Sequence, residues 1–299
     1  PFNFYGPMNG APPAVLADEL GDVYWVIADT VWGNTTIRKF VFSDGRKGAT
    51  RWTYANQAAA QQTFQGGGAP KFSAVYLEAY QRICVAHFGA QSFMVLDRNL
   101  NLLHQYQLWS STPTQSAQYP YLVSDGLKLM AGWTTSVDAA PETQYGGIHF
   151  MVNTSAGHPA GWVTGAGVPI SLPTPADGGP CENIVPPPYL TAADNPWLSH
   201  TLIDGNAVHL AFMGLDVMVQ RTYVNGVPTV YHDSSNRYVP NPTPFSGATL
   251  NMMNPAGFFF KGQDGALYAV GADKTKMING RRPLIVLKSS DGAQTWQDY

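Results

Sequence analysis

Carboxylates and aromatic rings are the groups in this chain best able to do chemistry. They are few enough to weigh one by one. The four glutamates are Glu19, Glu78, Glu142 and Glu182. Hydrolysis of a glycosidic bond takes two carboxyl groups roughly 5 to 10 Å apart, one kept protonated by its surroundings. Glu142 is the glutamate best placed to be that acid, with Asp29 or Asp216 as the carboxylate partner. Elimination from a uronate sugar instead uses His or Tyr to carry protons and Arg to neutralise the sugar carboxylate. His209, in VHLAF, is the candidate there, and His87 holds the corresponding place in VAHF. Both runs are apolar, which is also where a satisfied core histidine sits. Trp32, Trp133, Tyr145, Trp197, Arg281 and Arg282 are candidate ligand-binding groups. Sugar rings stack their C–H faces on aromatics while hydroxyls bond polar side chains. The seven histidines show no zinc spacing, and no EF-hand or glycine-rich phosphate loop occurs. No cofactor is implied, and structural Ca²⁺ on loop Asp and backbone oxygens stays open.

The elements that must position these groups are announced by a repeat. Five times an apolar segment enters a short polar turn and leaves as a second apolar segment. The turns are Leu20-Gly21-Asp22, Ala79-Tyr80-Gln81, Ser124-Asp125-Gly126, Ile203-Asp204-Gly205 and Gln263-Asp264-Gly265. The outgoing runs are VYWVIAD, RICVAHFG, LKLMAGWT, AVHLAFMG and ALYAVGAD, and third runs follow in IRKFVF, FMVLD, IHFMVN, VMVQRTY and LIVLK. The turns recur about every 60 residues, longer than a ~40 to 45-residue WD40 blade. This predicts an all-β chain folded as one β-propeller over residues 1–299, with five blades and room for a sixth between Gly161 and Asn195. Long interblade loops are expected near 52–71, 162–197 and 232–257, the second because its prolines cannot donate to a sheet ladder.

Ser289-Ser290-Asp291-Gly292-Ala293-Gln294-Thr295-Trp296 resembles the Asp box, S-x-D-x-G-x-T-W, of sialidase-like BNR propellers, with Ala293 in place of the second glycine. Weaker echoes are Ser43-Asp44-Gly45 leading to Trp52 and Thr154-Ser155-Ala156-Gly157 leading to Trp162. The resemblance implies that the box is a structural turn between third and fourth strands, with Trp tucked between strands. It also puts the first-to-second turns on the same lower face, so Asp125, Asp204, Asp264 and Asp291 are expected to shape turns. The functional face is then the opposite one, built from Asp29 to Thr36, Trp133 to Gly147, Gly214 to Asp216, Gly271 to Pro283 and the interblade stretches. The N-terminal arginine motif of sialidases is missing, so that activity does not carry over.

Charged residues make up 12% of the chain, about half the usual ~25%. A net charge of −3 without a basic cluster excludes nucleic acid and anionic membranes as partners. No apolar stretch approaches the roughly 20 residues of a membrane-spanning helix. Cys84 reads as a small core residue, and whether it pairs with Cys181 stays open. The chain begins at Pro1 without an apolar leader, which leads us to expect synthesis without a secretion signal. Together these features point to a carbohydrate-recognising propeller, of the kind found on a phage-like tail or virion surface. The alternatives are a polysaccharide-cleaving hydrolase or lyase, and a virion assembly protein docking onto other subunits without a ligand.

Overall fold

The structure is a computed structural model that describes residues 14–28, 35–42, 52–54, 61–64, 72–87, 92–110, 115–139, 142–185, 197–213, 218–233, 252–273, 277–281 and 283–299. Strands dominate it. Five antiparallel sheets, I to V, follow one another along the chain, each a meander in sequence order. Sheet I holds Ala14–Ala17, Val23–Ala28, Thr35–Phe42 and Trp52–Tyr54. Sheet II holds Phe72–Leu77, Arg82–His87, Ser92–Asp97 and Leu102–Gln107. Sheet III holds Gln115–Ser124, Leu129–Ala139, Glu142–Asn153 and Trp162–Val163. Sheet IV holds Trp197–Asp204, Ala207–Met213, Met218–Val224 and Val227–Asp233. Sheet V holds Met252–Lys261, Leu267–Asp273, Leu284–Ser289 and Gln297–Asp298. The first strands of consecutive sheets adjoin each other, I to II, II to III, III to IV and IV to V. The chain is a β-propeller.

Burial on both faces explains why the repeat was visible. Side chains alternate along a strand, so a sheet between two neighbours is apolar at every position. In sheet II, Ile83, Val85, Met94 and Leu96 pack toward Tyr24, Val26 and Ile37 of sheet I. The intervening Cys84, Ala86, Phe93 and Val95 pack toward Leu122, Leu129, Ala131 and Trp133 of sheet III. The outer strand Leu102–Gln107 has no such cover on its edge, and Leu102 and Leu103 are exposed. Cys84 and Cys181 are both buried and free.

The expected long loops are partly strand. In sheet I, Gln61–Phe64 pairs with the upper half of Thr35–Phe42 while Trp52–Tyr54 pairs with its lower half. Sheet III repeats the device, with Trp162–Val163 low and Glu182–Val185 high on Glu142–Asn153. Within the stretch that left room for a sixth blade, Trp162–Val163 and Glu182–Val185 thus belong to sheet III. Between these two pieces Thr174–Pro175 runs parallel to Trp109–Ser110, the two forming a separate two-stranded sheet. Prolines are tolerated because this excursion is held by isolated backbone bonds, Thr174 N–H to Leu108 O and Ala176 N–H to Ser110 O, and by burial of Ile170, Ala176 and Cys181. Residues 234–251, from the third expected loop, lie outside the described residues. Sheet V supplies its own fourth strand from the two residues Gln297–Asp298.

Candidate functional site

Each meander has a lower end, where first-to-second and third-to-fourth turns lie, and an upper end. The lower turns use their carboxylates internally. Asp125 accepts from the backbone N–H groups of Leu127 and Lys128, and Asp264 from that of Ala266. Asp264 also accepts from Lys288 Nζ and Tyr268 OH, and these bonds hold its carboxyl down at about 2, Lys288 contributing most. Asp204 differs, since its contact is Lys261 Nζ of the next sheet at 2.7 Å. After the third strand of sheet V, Ser289 Oγ bonds Asp291 and accepts from Ala293 N–H, while Asp291 accepts from the Thr295 N–H and hydroxyl. Trp296 is buried. Sheet III has the same turn with Asn153 at the Ser289 position: its Oδ1 accepts from Ser155 and Gly157 N–H, and Trp162 is buried against Phe93.

Two candidates from the sequence belong to the core. Trp133 is fully buried, its indole N–H donates to Ala176 O at 2.9 Å, and its ring meets Trp109 and His149. It anchors the sheet III excursion and cannot stack on a sugar. The strand was expected to end beside it, but Leu129–Ala139 continues six residues further, which moves Trp133 to mid-sheet. His209 is 2% exposed, and its Nδ1 lies 2.9 Å from Thr222 Oγ1, its cross-strand partner. Burial pushes the imidazole down to about 4. It sits toward the lower end of sheet IV, buried and bonded, and is a structural histidine.

The upper end gathers most of the remaining candidates by register. The hairpin of Leu129–Ala139 and Glu142–Asn153 pairs Ala139 with Glu142 at its tip and Ser136 with Tyr145 below it. Its 11-residue and 12-residue strands exceed the 6-residue strands of sheet II by five or more, an extra length of about 16 Å. The stretch from Trp133 to Gly147 is thus paired strand rather than open loop, save 140–141. Trp197 opens sheet IV, paired with Met213 at the same end. Arg281 is exposed on the turn that joins the second and third strands of sheet V, bridged to Ile278. Asp29, Trp32, Asp216 and Arg282 fall outside the described residues.

Sequence reasoning missed a cluster at the lower junction of sheets I and II. Arg98 Nε lies 3.0 Å from Asp18 Oδ2, and its other nitrogens lie 3.4 Å from Glu19 and 3.9 Å from Asp22. Tyr24 OH donates to Asp18, and Tyr76 OH and Gln81 Nε2 donate to Glu19. Desolvation, helped by the Asp18 contact, raises the Tyr24 phenol far above its usual range. A backbone bond to Glu19, then Tyr76, holds the Glu19 carboxyl below its own. Three carboxylates within five residues called for a cation, and Arg98 follows the third strand of the next sheet at the same end. Beside it a cavity of about 380 Å³ is lined by Gln81, Arg82, Asp97, Arg98 and Asn99. Among the described residues no group of three or more His, Cys, Asp or Glu could hold a metal ion, and no helix is long and apolar enough to cross a membrane.

Among solved structures, the chain is similar to the crystal structure of polysaccharide lyase Uly1, with a TM-score of 0.55, 12% identity, and coverage of 96% of this chain and 68% of that one. It is also similar to α-L-arabinofuranosidase from Lactobacillus brevis, with a TM-score of 0.42, 14% identity and coverage of 95% and 92%. A GH43 endo-arabinanase from Bacillus licheniformis gives 0.35, 13% identity and coverage of 76% and 74%. At these identities the likeness concerns the fold alone. No family model and no curated protein matches the chain.

Proposed function

We propose that this propeller is carbohydrate-active, holding an extended polysaccharide across its upper end and cleaving it there. The observation that carries this reading is the division between the two ends. The lower carboxylates are committed to turns and ion pairs, whereas Glu142, Tyr145, Trp197 and Arg281 all map to the upper end. The fold likeness to a polysaccharide lyase over 96% of the chain supports it. In hydrolysis, Glu142 gives its proton to the leaving glycosidic oxygen while Asp29 or Asp216 draws a proton from the attacking water. In elimination, Tyr145 carries the proton and Arg281 or Arg282 neutralises the sugar carboxylate. Kinship with Asp-box propellers, five blades in all, and a place outside the cell or on a virion are parts of the proposal. The paired turns after Asn153 and Ser289 support the first, the five sheets the second, and composition alone the third.

The test is incubation with bacterial-surface and algal polysaccharides, following reducing ends and unsaturated-uronate absorbance beside a glycan-binding assay. Cleavage is expected, with Glu142→Gln lowering kcat by about 100-fold or more if it is the general acid. Binding without cleavage leaves a recognition module, and silence in both assays removes the carbohydrate reading.

A further inference from the structure

The cavity at the lower end of sheet II is rich in unused donors. Arg82 and Asp97 are cross-strand partners there, and Arg98 and Asn99 follow Asp97 in the turn. Asp97 is nearly saturated: Oδ1 accepts from the N–H groups of Asn99 and Asn101, and Oδ2 from Asn101 Nδ2. Arg98 is committed to Asp18 and Glu19, and those acids engage it without themselves lining the cavity. The Arg82 guanidinium makes one long contact, Nη1 to Gln81 O at 3.5 Å. It carries five N–H donors, most of which make no hydrogen bond to a described residue, although its charge also acts on the cross-strand Asp97, and the Asn99 amide, which also lines the cavity, carries two more. Such a lining calls for an acceptor-rich ligand. A carboxylate matches the flat guanidinium fork, and neighbouring hydroxyls would meet the Asn99 carbonyl and the remaining lone pair of Asp97.

We propose that this cavity is an auxiliary subsite for an acidic sugar, with Arg82 receiving the carboxylate and Asn99 the adjacent hydroxyls. It lies at the opposite end of the propeller from the upper-end candidates. The inference rests on the carbohydrate reading in taking the ligand to be a sugar, and it names uronate-bearing glycans as the class. A polymer held at both ends gains avidity from the second contact through effective concentration.

The test is calorimetric titration of the full chain with trigalacturonate, with a neutral arabinotriose and inorganic phosphate as parallel probes. Trigalacturonate is expected to bind saturably, and Arg82→Gln to weaken it about tenfold or more, as loss of a charge-assisted pair would. Asn99→Ala, in an exposed turn whose bonds run through the backbone, is expected to weaken it about threefold with the fold intact. Undiminished binding in both variants, or no binding to the wild-type chain, overturns the subsite. Equal binding of arabinotriose overturns the role of charge, and equal binding of phosphate overturns the sugar. The two readings fail separately. Polymer cleavage with unaltered trigalacturonate affinity in both variants removes only the subsite, whereas Arg82-dependent binding with no action on any polymer removes only the upper-end activity.

Discussion

His209 ties one buried imidazole to the acid stability of the whole chain. Its pKa of about 4 in the folded state lies below the unfolded value of 6.5, so the unfolded chain binds the extra proton between these limits. Stability from this residue is complete above pH 6.5 and is lost as pH falls toward 4. Urea denaturation at pH 7 and pH 4.5 should show the wild type losing about 2 kcal/mol more than His209→Gln, which has nothing to titrate. His104 adds a smaller loss of the same sign, because burial, the neighbouring His158 and Arg82 also lower its pKa. A loss equal in both proteins would show that His209 titrates normally. The sequence marked His209 as either core or catalytic, and an apolar run alone cannot decide between them. The Thr222 hydroxyl across the strand does, and that pairing depends on register.

Sheets III and IV show how far a meander can be read and where reading stops. Central strands were legible because both faces are buried. Fourth strands were not: they are outer, as short as two residues in sheet V, and split in sheets I and III. Trp133 was misplaced for a related reason, since the polar upper half of its hairpin looks like loop when side chains are read without their partner strand. The turns between strands are constrained unequally. Gly226 has φ of +76°, and a Cβ there would run into the backbone N of Ala166, in the turn that follows Trp162–Val163 of sheet III. Gly205 has φ of +59° and open space around it. Gly205→Ala should cost about 1 kcal/mol, the ordinary price of a left-handed alanine. Gly226→Ala should cost at least about 2 kcal/mol, because the turn must also move off the neighbouring sheet. Similar losses in chemical denaturation would mean that the contact between sheets relaxes freely.

Across the molecule, every described junction between sheets is tied at the lower end. Arg98 joins II to I, Ala79 N–H donates to Gly126 O between II and III, Lys128 Nζ donates to Gly205 O between III and IV, and Lys261 pairs with Asp204 between V and IV. The ties differ in weight. Lys261 and Asp204 are both substantially exposed, so Lys261→Met should cost under about 1 kcal/mol. Arg98→Met would leave Asp18, whose side chain is fully buried, without its cation though still bonded by Tyr24 OH and the N–H groups of Leu20 and Asp22, and should cost about 1.5 to 3 kcal/mol at neutral pH. Thermal or urea unfolding separates the two, and a small loss for Arg98→Met would mean that water reaches Asp18. Adjacent sheets are therefore cross-linked at their lower extremities, so that there one sheet cannot part from the next without breaking a hydrogen bond or an ion pair.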